Sequence, residues 1–358
     1  MLTTGAGVIV KSGLFPADKL LPSEQIVGSG PYKLDKFENG KQAVFSANGK
    51  YNGDDQLANK GFIVQYFSSA SALKLAIEQG DVDVAYRNLS PTDISALRGE
   101  SGKGVQVVEG NGTEIRYLVF QLKQKPFDQK AVRQAFAALL DRDAIAKNAY
   151  DNTVTPLYSM IPQGLQFAEQ PFKTAYPTPD KAKAAALLKS AGVSTPVPIT
   201  LWYSPTHYGP NSVDEMTEIK RQLDSSGLFK VTVQSTEWQE YQKAYKAGSY
   251  PVYQLGWFPD FPDPDNYSAP FLDGKGGYFL NNYLNPALTK LTAQEQASTD
   301  KTVRAKVFQQ IQQITAVDVP LIPVWQGKQI AAVRKGVTGV DKTFDASFNF
   351  RFWLVGKS

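Results

Sequence analysis

The sequence has no cysteine and a single histidine, His207. These scarcities remove disulfides, thiolate nucleophiles and the usual Cys/His zinc sites. They name no compartment, because many exported bacterial proteins also lack cysteine. No window approaches the ~18 consecutive apolar residues of a membrane span. The opening "MLTTGAGVIVKSG" lacks the basic-then-apolar order of an export signal. Basic blocks are missing too: 38 lysines and arginines lie scattered among 34 acids, and the net charge of +4 offers nucleic acid no phosphate-tracking surface. No G-x-S-x-G elbow occurs, so a Ser-His-Asp triad would have to form around His207 in "YSPTHYGPN", which reads instead as a solvated or ligand-lining loop. "GESGKG" around Lys103 lacks the spacing and the Ser/Thr of a phosphate loop, and "GAG" at 5–7 lacks the third glycine of a dinucleotide fingerprint. Asp260, Asp263 and Asp265 lack the glycine and glutamate of a calcium loop. Neither a cofactor nor a metal is expected. A hydrolase, peptidase or glycosidase, stays open as the contrasting class, since any Asp or Glu could approach Asp260 in the fold to form a two-carboxylate glycosidase site.

What is present is material for two domains, 358 residues at ~150 per domain. The first third reads as strands with short helices. Alternating runs at 31–37 and 41–46 meet at Asn39-Gly40 as a hairpin, 61–67 is a short strand, and a helix follows with Gly80 as its stop. Ser90 and Pro91 open another helix that ends at Gly99. "EIRYLVFQ" is a strand, and Val132, Phe136, Leu139 and Leu140 share one face of the next helix. Thr178 and Pro179 are expected to start the helix that ends before Gly192.

Between 196 and 257 the chain alternates strand, helix, strand, helix, strand, and its first helix carries a Ser212 to Glu215 capping box. Such alternation implies parallel strands with helices on the faces, the α/β class, whose ligands bind beyond the carboxyl ends of the strands. Helices at 286–297 and 300–316 and the strand "VPLIPVWQ" complete the pattern. With no long linker, the domain boundaries are expected inside strands, near 112–115 and 322–327.

At the end of the last alternating strand stands "GWFPDFPDPDNY", residues 256–267. Prolines 259, 262 and 264 fix φ and lower the entropy lost on ordering, so the loop can be pre-set without core packing. Asp260, flanked by Trp257, Phe258 and Phe261, suits an incoming ammonium group. The same composition also describes a proline-rich surface turn whose aspartates cap backbone amides.

Six stretches in order, "GSGPYKLDKFENGKQAVFSANGKYNG", "LKLAIEQGDVDV", "FQLKQKPFDQKAVRQAFAALLDRDAI", "DKAKAAALLKSAG", "LGWFPDFPDPDNY" and "VDVPLIPVWQ", resemble the family 5 solute-binding proteins of ABC importers, the oligopeptide- and dipeptide-binding group. The resemblance implies an α/β, periplasmic-binding-protein-like two-lobed clamshell (type II) that binds its ligand without catalysis. It implies lobe 2 at 114–324 and a partial lobe 1 from 1–113 and 325–358, with the N-terminal portion of that lobe absent from this chain. Asp260 then takes the place that holds a peptide's α-ammonium, with Gly256, Trp257 and Phe258 supplying a strand edge, while His207 and Tyr203 fall where similar proteins line the cavity. Expected partners are a peptide or other small solute and the permease subunits. The location is extracytoplasmic, with the membrane touched only through the permease or a missing anchor. Where some oligopeptide binders carry arginines for the ligand carboxylate, this chain has Tyr245 and Gln254. Oligosaccharide is the second ligand class, since Trp202 and Trp257 would stack on sugar rings.

Overall fold

The computed structural model describes residues 10, 11, 13–16, 18–99, 104–272, 278 and 283–358. The glycine-rich stretch 5–7 and residues 100–103 lie outside them. The first strands are β1 (Tyr32–Glu38), β2 (Gln42–Ala47) and β3 (Gly61–Gln65), in the antiparallel order β1-β2-β3. Glu38 pairs with Gln42, so the turn holds three residues, and Gly40 alone takes positive φ, 70°. That is a three-residue hairpin loop with glycine at its left-handed position, in place of a two-residue Asn-Gly turn. Helix α1 (Ala70–Gln79) starts on Ser69, whose hydroxyl accepts from the Ala72 N–H, and ends on Gly80 at φ 88°, as glycine punctuation requires. Strand β4 (Val84–Tyr86) and α2 (Pro91–Arg98) follow, with Ser90 as the cap.

Strand β5 (Val105–Phe120) leads to α3 (Lys130–Ala137), α4 (Arg142–Tyr150), β6 (Val154–Pro156), α5 (Pro171–Ala175) and α6 (Lys181–Ser190). The cap of α6 is Asp180, whose carboxylate accepts from the Lys183 N–H, two residues later than Thr178. Then come β7 (Val197–Tyr203), α7 (Ser212–Ser225), β8 (Phe229–Ser235), α8 (Trp238–Lys246) and β9 (Val252–Trp257). The α/β reading is realised in this segment. β7 pairs in parallel with both β8 and β9, while β9 runs antiparallel to β5. Helices α9 (Ala269–Leu272), α10 (Pro286–Gln296) and α11 (Lys301–Asp318) precede β10 (Leu321–Arg334).

Two compact units result: residues 1–111 with 329–358, and residues 112–328. The sequence reading set these crossings at 113/114 and 324/325. β5 and β10 each carry the chain from one unit into the other. In the larger unit the sheet order is β10-β5-β9-β7-β8, with β6 on β10. Its two faces bury separate cores, one around Leu118, Phe136, Leu201 and Ile219, the other around Tyr117, Tyr253, Tyr267 and Phe308. The split follows the period-2 alternation of strand side chains. The smaller unit pairs β4 with β10 and packs a core of Ile77, Ala85, Leu97, Val105 and Ala332. It also holds a cleft of about 480 Å³ lined by β3, β4, Phe350 and Phe352. Each core lies wholly within one unit. Among the described residues, no helix is long and apolar enough to cross a membrane.

Candidate ligand-binding site

β9 carries the candidate loop at its carboxyl end. Its pairing with β7 stops at Trp202↔Tyr253, whereas its pairing with β5 continues to Ile115↔Trp257, so Leu255 to Trp257 run past their parallel neighbour. Gly256 faces Arg116 across this register. A Cβ built at Gly256 would lie 2.8 Å from the Arg116 guanidinium carbon and 3.0 Å from the Tyr208 ring, which explains glycine at this position. The Tyr208 hydroxyl is hydrogen-bonded to the Gly256 backbone.

Beyond Gly256 the loop is held by one amide. Asn266, 2% exposed, accepts on Oδ1 both the Trp257 indole N–H at 3.0 Å and the Asp260 backbone N–H at 2.9 Å. The Trp257 ring meets Phe271 edge-on at 5.0 Å and Tyr278 at 5.1 Å. Phe258 is 53% exposed, so it and not Trp257 is the outward aromatic. The Asp260 carboxylate is exposed, and among the described residues no cation pairs with it. Asp263 has a different duty: it caps the 3-10 turn Pro264–Tyr267 through the Asp265 N–H and receives both Nη atoms of Arg304 at 3.0 and 2.6 Å. The three aspartates of the motif are therefore not equivalent.

His207 is exposed, and its imidazole stacks on Trp238 at 3.5 Å with the planes 3° apart. Partial burial and the nearby Arg116 charge hold its pKa below 6.5. Tyr203 leaves the set of ligand-facing candidates. On β7 it shares the inward face with Val197, Ile199 and Leu201, is only 7% exposed and belongs to the hydrophobic core. Period-2 alternation puts Trp202 on the other face, where it stacks on Tyr250 at 4.2 Å.

The sequence reading missed a buried polar network beneath Gly256. Arg116 is 3% exposed, with its guanidinium 4.2 Å from the Tyr208 ring and 4.9 Å from the Trp325 ring, and its Nη2 lies 2.6 Å from Glu114. Burial opposes its charge, yet Glu114 and the surrounding oxygens of Tyr208, Tyr150 and Glu215 keep its pKa raised. Glu215 is fully buried and accepts from the Tyr150 hydroxyl at 2.6 Å, the Trp325 indole at 2.8 Å and the Gln254 amide at 3.0 Å. It is therefore no capping-box residue, and Asn211 occupies the N-cap of α7. A signal was present in "EIRYLVF": an acid and an arginine two apart within an apolar strand share one face.

Residues 9–279 match the family described as bacterial extracellular solute-binding proteins, family 5 Middle. The chain belongs to this family. It is 27% identical over 321 residues to a dipeptide-binding protein of Pseudomonas aeruginosa, covering 88% of this chain and 59% of that one. It is also 27% identical over 340 residues to the periplasmic oligopeptide-binding protein OppA of Haemophilus influenzae, covering 90% and 61%. The chain thus spans about 59% of the length of the first of these curated family 5 relatives. Among solved structures, the ABC transporter substrate binding protein CtaP of Listeria monocytogenes superposes with TM-score 0.80 at 20% identity, covering 92% of this chain and 67% of that one. A dipeptide binding protein from Pseudoalteromonas sp. SM9913 in complex with Met-Leu superposes at 0.70 with 22% identity, covering 92% and 64%. The fold is that of family 5, and these relatives bear the names of binding proteins, which leaves the hydrolase reading without support.

Proposed function

We propose that this chain acts as an extracytoplasmic solute-binding protein of an ABC importer, that it captures peptides, and that it delivers them to permease subunits. The carrying observation is the Asp260 carboxylate. It is exposed at the carboxyl end of β9, has no cationic partner among the described residues, and sits on a backbone fixed by Asn266. A peptide's α-ammonium supplies the missing cation, and a charge-assisted hydrogen bond on a pre-set acceptor gives affinity without reading side chains. The strand edge at Gly256, Trp257 and Phe258 then offers main-chain pairing to an extended ligand. At Gly256 such a ligand replaces the Tyr208 hydroxyl or bonds to it. His207, neutral near pH 7 and stacked on Trp238, borders the same end of the sheet as an uncharged polar group.

The oligosaccharide reading loses its platforms. The Trp202 ring is stacked on Tyr250, and Trp257 is wedged against Phe271 and Tyr278. Titration with free-amine tripeptides tests the proposal: Asp260→Ala is expected to weaken binding by about 1.5–3 kcal/mol, the scale of a hydrogen bond to a charged group. N-acetylation of the peptide should cost the parent protein a similar amount. Unchanged affinity in both experiments removes Asp260 from the role.

A further inference from the structure

The Asp260 loop is tied to a helix far along the chain. Arg304, on α11, has a side chain only 18% exposed and grips both oxygens of Asp263. Asp263 Oδ1 also accepts the Asp265 N–H at 2.9 Å, and its carbonyl accepts the Asn266 N–H at 3.0 Å. Asn266 in turn holds Asp260 and Trp257. The bonds thus run without a gap from Arg304 through Asp263 and Asn266 to the backbone of the ligand-facing carboxylate. The Arg304 guanidinium lies 5.2 Å from the Phe308 ring, which restricts where it can swing. Its second acid, Glu295 on α10, is reached by Nη2 at 3.0 Å, is 1% exposed and lies beside the Asp265 carboxylate.

We propose that Arg304 is a positioning residue for ligand binding: by clamping Asp263 it fixes Asn266, and through Asn266 the placement of Asp260. Glu295 leaves this clamp undivided. Burial and the neighbouring Asp265 push its carboxyl up to about 8, so near neutrality it holds its proton. Asp263 is then the anion that Arg304 serves. Burial works against its charge too, but the Arg304 hydrogen bonds keep its pKa lowered. The inference rests on the Asp260 reading and adds the device that aims it.

The test is a set of titrations with one tripeptide pool, free and N-acetylated, on the parent, Arg304→Met, Arg304→Lys, Asp260→Asn and the double variant Arg304→Met/Asp260→Asn. Arg304→Met is expected to raise Kd for free-amine peptides about tenfold, as for a binding group released from its support. It should leave N-acetylated peptides unaffected, add nothing in the Asp260→Asn background, and be partly repaired by Arg304→Lys. An unchanged Kd, or equal losses for free and acetylated peptides that persist in the double variant, overturns the positioning role. If Arg304→Met does not fold, Asp263→Asn, which keeps the shape and the turn acceptor but removes the charge, is read by the same criteria. Should Asp260→Asn itself leave affinity unaltered, the site reading fails. Should it cost affinity while Arg304→Met does not, only the present inference fails.

Discussion

Gly256 shows how one hydrogen atom in place of a side chain shapes the site. Arg116 cannot retreat from a new methyl group, because Nη2 is paired with Glu114, Nη1 donates to the Ile115 carbonyl at 3.2 Å, and the plane is held between Tyr208 and Trp325. Gly256→Ala is therefore expected to lower stability by about 1–3 kcal/mol, the usual cost of overpacking a filled interior. Thermal unfolding reads this as a lower Tm, and an unshifted Tm would mean that the guanidinium yields. At the same scale the motif's aspartates divide their labour: Asp260 is exposed with no cationic partner among the described residues, Asp263 receives Arg304, and Asp265 accepts from the Gln296 amide at 3.0 Å. Their sequence positions look alike, and only the partners supplied by α10 and α11 tell them apart.

Among the elements, those fixed by local rules were the ones legible in the sequence. The strands of the 196–257 segment follow from alternating apolar residues, the end of α1 from Gly80 and the start of α2 from Ser90, because each signal acts over one turn or one pleat. Tyr203 and Glu215 were misread for the opposite reason. The tyrosine's burial depends on which face of β7 the larger core covers, and the glutamate's partners arrive from α4, β9 and β10. The Arg304 clamp, 41 positions from Asp263, was invisible on the same ground. The α10–α11 pair adds a prediction of its own. The Glu295 carboxyl is pushed from 4.5 to about 8 on folding, so between those values the unfolded chain ionises while the folded one retains its proton. Stability is then fully present below about pH 4.5, falls as pH rises toward 8 and levels off above. Glu295→Gln removes this slope. Urea midpoints at pH 5, 7 and 8.5 should converge in the variant relative to the parent, and an equal slope in both proteins would assign the dependence elsewhere.

For the whole molecule, the two units are unequal in how the chain builds them. Residues 112–328 form one continuous segment with both of its cores inside it, whereas the other unit needs residues 329–358 to join residues from before 112. A fragment 112–328 is expected to unfold in a single cooperative transition by calorimetry, and fragment 1–111 to show none. A broad, non-cooperative trace for 112–328 would show that its cores need the crossing strands in full. This topology also sets an order in time. A ribosome delivers the chain from its N-terminal side, so residues 112–328 are finished before residues 329–358, which close the other unit, have been made. Residues before 112 that belong to that unit must wait, unpaired along the far half of β10, until residues 329–334 have been made.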